Sequence, residues 1–210
     1  MPHDPFEVAE HVANAVEDTV IGTSKNQNFW KELFKLILLA VIIVVPFRLY
    51  VAQPFIVDGL SMSPTFGNGN YLIIDELSYH FKSPERGSVL VFQYPKDPKK
   101  FFIKRIIGLP GETVSINAGK VTITSDAHPD GLTLNEPYVK LEKSDDNLTR
   151  ILADDEYFVM GDNRAQSSDS RIWGPVPKEN LIGRPIIQFW PPRLFPGQVT
   201  YQTDPINNTP

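Results

Sequence analysis

Two serines and a lysine are the side chains in this chain of 210 residues whose surroundings could support nucleophilic chemistry. Ser61 and Ser63 lie in the stretch VDGLSMSPTF, just after the longest apolar run. Serine beside glycine or proline commonly forms a turn, and the proline after Ser63 restricts its backbone in a way that suits such a role. Ser61 is therefore the better candidate nucleophile, although a turn would also explain it.

A serine nucleophile needs a base, and none of the four histidines has an evident carboxylate partner in the sequence. A lysine can act instead if it is neutral, which requires its pKa to fall from about 10.4 to between about 7 and 8. Strand alternation in FFIKRII places Phe102 and Ile106 on the same face as Lys104, where they would remove water from the amine. The alternative is a lysine whose stem crosses apolar surface while its ammonium stays in water.

Composition argues against several other chemistries. The chain has no cysteine, which excludes disulfides, thiolate nucleophiles and cysteine-based zinc sites. The histidines follow no metalloprotease spacing, so we expect no metal. The formal net charge is -5, but the first 28 residues hold five acidic residues against one lysine, and the remainder is nearly neutral. No basic face for nucleic acid is therefore indicated.

The elements that must position Ser61 and Lys104 are predicted to be short β-strands. Seven segments rich in branched and aromatic residues are separated by Gly, Pro, Asn and Asp. They are residues 70–77, 87–94, 100–108, 112–117, 120–124, 156–161 and 184–190. The stretch NAGK, residues 117–120, predicts a tight hairpin connection, and the polar segment at about 125–150 predicts an exposed excursion. We therefore expect a mainly β, mostly antiparallel domain over residues 54–200, with a C-terminal tail at 201–210.

An apolar segment before the β region predicts one transmembrane helix. The 19 residues from Leu33 to Val51 carry charges only at Lys35 and Arg48, which lie near opposite ends. We expect an anchor over residues 29–53, preceded by a solvated tail at 1–28. A buried core helix is the alternative. A removable signal is disfavoured because Tyr50 is too large for the -3 position of a cut after Ala52.

Lysines on the amino side of the apolar run predict its orientation. Lys25, Lys31 and Lys35 lie there, whereas the next cation after Arg48 is the distant Lys82. Because positive charge favours the cytoplasmic side, we expect the N-terminus in the cytoplasm and the β domain outside the cell membrane.

Three separated stretches resemble the signature motifs of bacterial type I signal peptidases. They are SMSPTF from Ser61, FIKRIIGLPGE from Phe102, and GDNRAQSSDSRIWGPVPKENLIGR from Gly161. The resemblance covers about residues 29–190. It implies a membrane-anchored serine protease with an antiparallel β catalytic domain of the kind also found in self-cleaving repressor proteases. Such an enzyme removes signal peptides from exported preproteins after small residues at -1 and -3, without a cofactor.

The resemblance also implies roles for individual residues. Ser61 matches the nucleophile, Lys104 the general base, and Ser167 a serine that orients this lysine. The Ser61 amide matches one donor to the oxyanion. Gly59 stands where some members carry a second donor serine, and it has no hydroxyl to offer.

The remaining implied positions support the site or bind the substrate. Asp169 and Arg171 resemble a structural ion pair below the dyad, and their alternative is an exposed turn pair. Asp162 resembles a turn residue that holds the loop at Gly161 against the site. The candidate lining residues of the substrate pockets are Phe55, Val57 and Ile103. The expected partners are secreted preproteins and the lipid bilayer, and the chain is expected to be a monomer.

Two other functions remain to be compared with signal peptide removal. A self-cleaving repressor protease would share the fold and dyad, but it would carry a DNA-binding helical domain and a cleavable Ala-Gly or Cys-Gly site, where this chain has an apolar anchor. A non-enzymatic, membrane-tethered β module that binds peptides would explain the anchor and the strands. It would not explain a serine paired with a desolvated lysine.

Overall fold

The structure is a computed structural model that describes residues 24–50, 52–140 and 147–194. The predicted C-terminal tail and most of the predicted N-terminal tail lie outside these residues, as do residues 141–146 of the predicted excursion. The chain divides between Arg48 and Leu49 into two compact units.

The described part of the first unit is residues 24–48 of helix α1, which spans Ser24–Tyr50. It covers most of the apolar segment predicted as an anchor, and it begins before the predicted start at residue 29. Between residues 29 and 45, most of its large apolar side chains are exposed, among them Phe34, Leu39 and Ile43. No helix in the parts of the chain that the structure describes combines the length and the apolar character needed to cross a membrane.

The second unit is built from antiparallel β-strands, which confirms the mainly β prediction. The described strands are β1 Ala52–Ile56, β2 Tyr71–Asp75, β3 Val89–Tyr94, β4 Asp97–Gly108, β5 Thr113–Asn117, β6 Lys120–Ser125, β7 His128–Thr133, β8 Leu148–Ile151, β9 Glu156–Met160, β10 Val176–Pro177, β11 Leu181–Trp190 and β12 Arg193–Leu194. Two short α-helices, α2 Ser78–Phe81 and α3 Ser170–Trp173, and two 3-10 turns, Arg164–Gln166 and Lys178–Asn180, complete the described elements.

The strands form two sheets. In the larger sheet the order is β1-β2-β11-β3-β4-β9-β10, with β12 paired to β11, and in the smaller sheet it is β7-β6-β5-β8. Strand β4 is shared by two packing environments, because Ile106 packs with Phe92 and Val159 while Ile107 packs with Val114 and the smaller sheet. Both faces of β4 are therefore covered near its carboxyl end. Residues 104 to 108 are all buried there.

An aromatic cluster packs behind the paired strands β3 and β4. Trp173 lies 5.6 Å from Tyr94 and 5.8 Å from Phe92, measured between ring centroids, and Phe102 stacks on Tyr94. Large rings in such tilted and edge-on arrangements add to the stability gained from their burial. The cluster therefore fixes α3, which follows the loop at Gly161, against the strand that carries Lys104.

All seven predicted strands are present, and the hairpin at NAGK is confirmed. Asn117 pairs with Lys120, and Ala118 and Gly119 both have positive φ, as a two-residue turn between twisted strands requires. The predicted excursion, in contrast, contains strand β7 and most of β8. The sequence HPDGLT of β7 carries the turn residues Pro and Gly, and pairing with β6 overrides that local preference.

Candidate active site

The loop between β1 and β2 carries Ser61 and is held from both sides. Met62 and Phe66 are fully buried in the core and anchor the loop from below. From the other side, the Asn163 N–H donates to the Ser61 carbonyl at 3.0 Å, and Asn163 Nδ2 donates to the Leu60 carbonyl at 3.2 Å. The backbone at Ser61 is therefore fixed against the loop that follows β9.

Lys104 meets Ser61 directly. The Lys104 Nζ lies 2.8 Å from Ser61 Oγ and 2.9 Å from the Ile103 carbonyl oxygen, and the lysine is only 4% exposed. The Phe102 ring lies beside the amine, 5.4 Å from ring centroid to Nζ. The structure thus brings together the two residues that the sequence singled out, and it buries the amine as expected.

The surroundings of Lys104 favour its neutral form. Burial lowers the pKa of Lys104 from 10.5 to about 8, although the carboxylates of Asp169 and Asp162 oppose this shift. Near pH 8, about half of the amine would then be unprotonated. A lysine in this state can accept the proton of the nearby hydroxyl.

Ser167 lies in the site but does not make the expected bond to Lys104. It is buried, and within the described residues its Oγ has no hydrogen-bond partner. The Lys104 amine instead bonds Ser61 and the Ile103 carbonyl. In this structure the backbone of β4 thus orients the amine.

Gly161 is a close contact point between the two loops of the site. A Cβ built on Gly161 would overlap Ser167 Oγ and the carbonyl oxygen of Ser61. The Gly161 N–H donates to Asp169 Oδ2 at 3.0 Å. Only a residue without a side chain allows this approach, which places Ser167 beside Ser61.

The two backbone groups assigned to the oxyanion differ in availability. The Ser61 N–H makes no hydrogen bond to any of the residues that are described. The Gly59 N–H donates to Asn68 Oδ1 at 2.8 Å, so it is already engaged, and the assignment of Gly59 as a second donor is not supported by this geometry. Gly59 has a positive φ of 96°, a conformation that glycine adopts readily.

Two buried ion pairs support the loop after β9. Arg171 binds both carboxylate oxygens of Asp169 at 2.8 Å, and this pair is buried, unlike an exposed turn pair. Asp162 receives two bonds from Arg105, at 2.8 and 2.6 Å, and also accepts from the Thr65 hydroxyl. Through Thr65 and Asp162, the loop of Ser61 is tied to the loop of Gly161.

The sequence prediction missed two contacts that hold buried arginines near the site. The Arg164 guanidinium is buried and forms a double ion pair with Glu136, at 2.8 and 2.5 Å. The Tyr138 ring covers the Arg105 guanidinium, with 4.0 Å between the ring centroid and Cζ. Arg164 stands within the GDNR stretch, but Glu136 and Tyr138 come from the segment predicted to be an exposed excursion, so the sequence carried no signal for this contact.

A cavity of about 490 Å³ opens beside Ser61 and Lys104. Phe55, Val57 and Ile103, the candidate pocket residues, all line it. Among the described residues, no group of three His, Asp or Glu side chains is arranged to hold a metal ion. The site therefore combines a serine, a buried amine and an open apolar cavity, an arrangement suited to acyl transfer on a peptide.

Comparison with known proteins identifies similar chains. The sequence profile of the family described as "Signal peptidase, peptidase S26" matches residues 30–190. The probable signal peptidase I-2 of Synechocystis sp. is 40% identical over 190 residues, which are 85% of this chain and 84% of the relative. Signal peptidase I of Leptolyngbya laminosa is 38% identical over 168 residues, 76% of this chain and 79% of the relative. A crystal structure of a signal peptidase I from Enterococcus faecalis, 30% identical, aligns with a TM-score of 0.41 over 49% of this chain and 97% of that chain.

Proposed function

Because the chain belongs to the signal peptidase family, peptidase S26, we propose that Ser61 and Lys104 are the nucleophile and general base with which it removes signal peptides from exported preproteins. The observation that carries this assignment is the 2.8 Å contact between Ser61 Oγ and the Lys104 amine, whose pKa burial lowers to about 8. A chain of this family is a serine endopeptidase, and this pair supplies the two groups that such chemistry requires.

The proposed reaction proceeds in two steps. Neutral Lys104 takes the hydroxyl proton as Ser61 Oγ attacks the carbonyl carbon of the residue at -1, and the Ser61 N–H stabilises the developing oxyanion. The ammonium of Lys104 then protonates the departing amine, which releases the mature protein. Lys104, neutral again, then takes a proton from a water that attacks the acyl-enzyme, and its ammonium returns this proton to Ser61 Oγ as the signal peptide leaves.

The proposed binding mode of the substrate follows from two unpaired strand edges. Strand β1 pairs only with β2 within the described residues, and β9 pairs with β4 only from Arg105 onward. The cavity is lined by β1 on one side and by residues 100–104 of β4 on the other. An extended peptide could therefore bond to both edges, with small side chains at -1 and -3 facing the apolar walls formed by Phe55, Val57 and Ile103.

The proposed location is the cell membrane, with one span. Support comes from the apolar segment of residues 29–53 and from the exposed apolar side chains of α1. In this proposal residues 1–28 are a cytoplasmic tail, and the catalytic domain of residues 54–200 lies outside the membrane and ends in a tail at 201–210. The proposed partners are preproteins and the bilayer, and the proposed state is a monomer.

The test of this function uses the full chain in nonionic detergent with a preprotein that carries Ala-x-Ala before its cleavage site. Ser61→Ala and Lys104→Ala should each abolish processing, and amino-terminal sequencing of the wild-type product should show cleavage directly after the second alanine. Ser63→Ala, in the same loop, is the matched control and should remain active. Normal cleavage by the Ser61 or Lys104 variant would refute the assignment, and binding without cleavage by the wild type would favour the peptide-binding module.

A further inference from the structure

The segment of residues 134–139, which follows β7, is fixed to the smaller sheet. Leu134 is buried among apolar residues of that sheet, and its N–H donates to the Val121 carbonyl at 2.9 Å. The Tyr138 hydroxyl donates to Glu136 Oε1 at 2.7 Å, so these two side chains are bound to each other. The segment therefore presents one aromatic ring and one carboxylate at defined positions.

The Tyr138 ring is connected to the loop of Ser61 through two charged side chains. It lies over the Arg105 guanidinium, with 4.0 Å between the ring centroid and Cζ. Arg105 donates to both carboxylate oxygens of Asp162, at 2.8 and 2.6 Å. Asp162 in turn accepts from the hydroxyl of Thr65, in the loop of Ser61. Because a guanidinium is attracted to an aromatic face, the ring favours the orientation in which Arg105 bonds Asp162.

Glu136 supports the neighbouring part of the loop after β9. It binds the Arg164 guanidinium at 2.8 and 2.5 Å, and Arg164 Nε donates to the Gly161 carbonyl at 3.2 Å. In the same loop the Asn163 N–H donates to the Ser61 carbonyl at 3.0 Å. The segment of residues 134–139 thus holds the loop that in turn holds the backbone at Ser61.

Tyr138 lies away from the substrate cavity. Of the residues that the structure describes, those lining the cavity include neither Tyr138 nor Arg105. Strand alternation directs Arg105 to the face of β4 opposite that of Lys104. A side chain that does not touch the peptide adds nothing directly to its binding, so an effect of Tyr138 on cleavage would appear in kcat and not in KM.

We propose that Tyr138 is a positioning residue for the cleavage reaction. Its ring keeps Arg105 on Asp162, and the loop tied to Asp162 keeps Ser61 aligned with Lys104 and the substrate carbonyl. This inference rests on the proposed function, since cleavage of a signal peptide is its measure. The ring is one of several restraints on the loop, so its loss should lower kcat by about ten-fold and leave KM within about two-fold.

The test measures kcat and KM of the full chain in nonionic detergent with a peptide that spans the cleavage site. Tyr138→Leu removes the ring but keeps an apolar side chain, and it should lower kcat about ten-fold at unchanged KM. Tyr138→Phe keeps the ring and loses only the hydroxyl, so its kcat should stay within about two-fold of the wild type. Circular dichroism at the assay temperature gives the folded fraction, so that each kcat is expressed per folded molecule.

Further variants assign the effect to the contact with Arg105. Tyr79→Leu is the matched control, because Tyr79 is also a partly buried tyrosine, packs against the cluster around Phe92 and does not line the cavity; its kcat should be unchanged. Arg105→Lys keeps the charge but loses the planar guanidinium, and it should lower kcat at least as much as Tyr138→Leu. The double variant should show little further fall, because the ring then has no guanidinium to hold.

Wild-type kcat per folded molecule in Tyr138→Leu would overturn this role of Tyr138. A raised KM at unchanged kcat would also overturn it, as would an equal fall in Tyr138→Phe or in Tyr79→Leu. If Tyr138→Leu does not fold, wild-type kcat in Arg105→Lys would overturn the role. In all these cases the proposed function would stand, provided that the wild type cuts at the expected bond and Ser61→Ala does not. Failure of the wild type to cut the peptide would overturn both proposals.

Discussion

At the residue scale, the chemistry depends on how the chain keeps one amine away from water. Lys104 lies on a strand that is covered on both faces, so its ammonium form loses hydration. Asp169 and Asp162, which would otherwise draw a proton to Lys104, are bound by Arg171 and Arg105. The arginines thus limit the opposing influence of the two carboxylates on the lysine.

The pH dependence of cleavage follows from the lowered pKa of Lys104. The neutral base is the active form, so its fraction rises with pH, and kcat/KM should increase about ten-fold per pH unit below about pH 8 and level off above it. Initial rates with a preprotein peptide between pH 6 and pH 10 would measure this profile. A rate that stays flat from pH 6 to pH 9 would contradict a lysine base.

Part of this residue-scale picture could be predicted from the sequence. Alternation in FFIKRII was enough to place Phe102 and Ile106 beside Lys104, because the periodicity of a strand fixes its faces. The bond between Lys104 and the Ile103 carbonyl could not be predicted, since it depends on the side-chain conformation. The hydrogen bond from the Gly59 N–H to Asn68 could not be predicted from the sequence either, because it depends on the path of an irregular loop.

At the element scale, the site is a junction between the loop after β1 and the loop after β9. Gly161 and Asn163 of the second loop hold the backbone at Ser61, and Asp162 reaches Thr65 of the first. Neither the loop of Ser61 nor residues 161–163 belong to a helix or an extended strand. Their positions are set by side-chain bonds and by buried residues below them, which makes the junction sensitive to small changes in volume.

Gly161→Ala tests this junction. The added methyl group would overlap Ser167 and the Ser61 carbonyl, so Ser61 should shift and kcat should fall by about 100-fold or more, since a misplacement of about 1 Å can have this effect. Gly67→Ala, in the loop of Ser61, is the matched control, because its added Cβ would meet nothing closer than 3.7 Å. Steady-state kcat and KM of both variants would decide the matter. Wild-type kcat in Gly161→Ala would contradict the tight junction.

The ion pair between Glu136, in the segment before β8, and Arg164 can be tested by substitution. Glu136→Gln leaves the buried Arg164 guanidinium without its counter-charge, and the folded state should lose about 3 kcal/mol. Urea unfolding followed by circular dichroism would measure this loss. Glu179→Gln, at an exposed acidic residue, should change stability by less than about 0.5 kcal/mol. Equal stability of the two variants would show that the Arg164 ion pair contributes little.

The strand prediction succeeded where hydrophobic patterning is strong and failed where pairing partners decide. Strand β2 alternates buried and partly exposed residues, as its sequence YLIID suggests. Strands β1 and β8 are short and lie at sheet edges, and β1 contains Pro54, which an edge position tolerates. Local sequence carries little information about such strands, because their hydrogen bonds come from distant neighbours.

At the scale of the whole molecule, the two compact units differ in how far they bury their apolar side chains. The β unit buries three apolar clusters, whereas α1 leaves most of its large apolar side chains between residues 29 and 45 exposed. If α1 is the anchor, the full chain should remain with membranes after carbonate washing. A chain that lacks residues 1–50 should appear in the aqueous fraction and still cut a short peptide substrate. Release of the full chain by carbonate would contradict the anchor.

The burial of Trp173 has a spectroscopic consequence. An indole removed from water emits at shorter wavelength than an exposed one and is shielded from quenchers such as acrylamide. Trp173 is only 8% exposed, whereas Trp30 and Trp190 are 62% and 67% exposed, so a blue-shifted, quencher-resistant component of the fluorescence should come from Trp173. Because this indole shares a helical turn with Arg171, its emission would report directly on whether the catalytic scaffold is assembled.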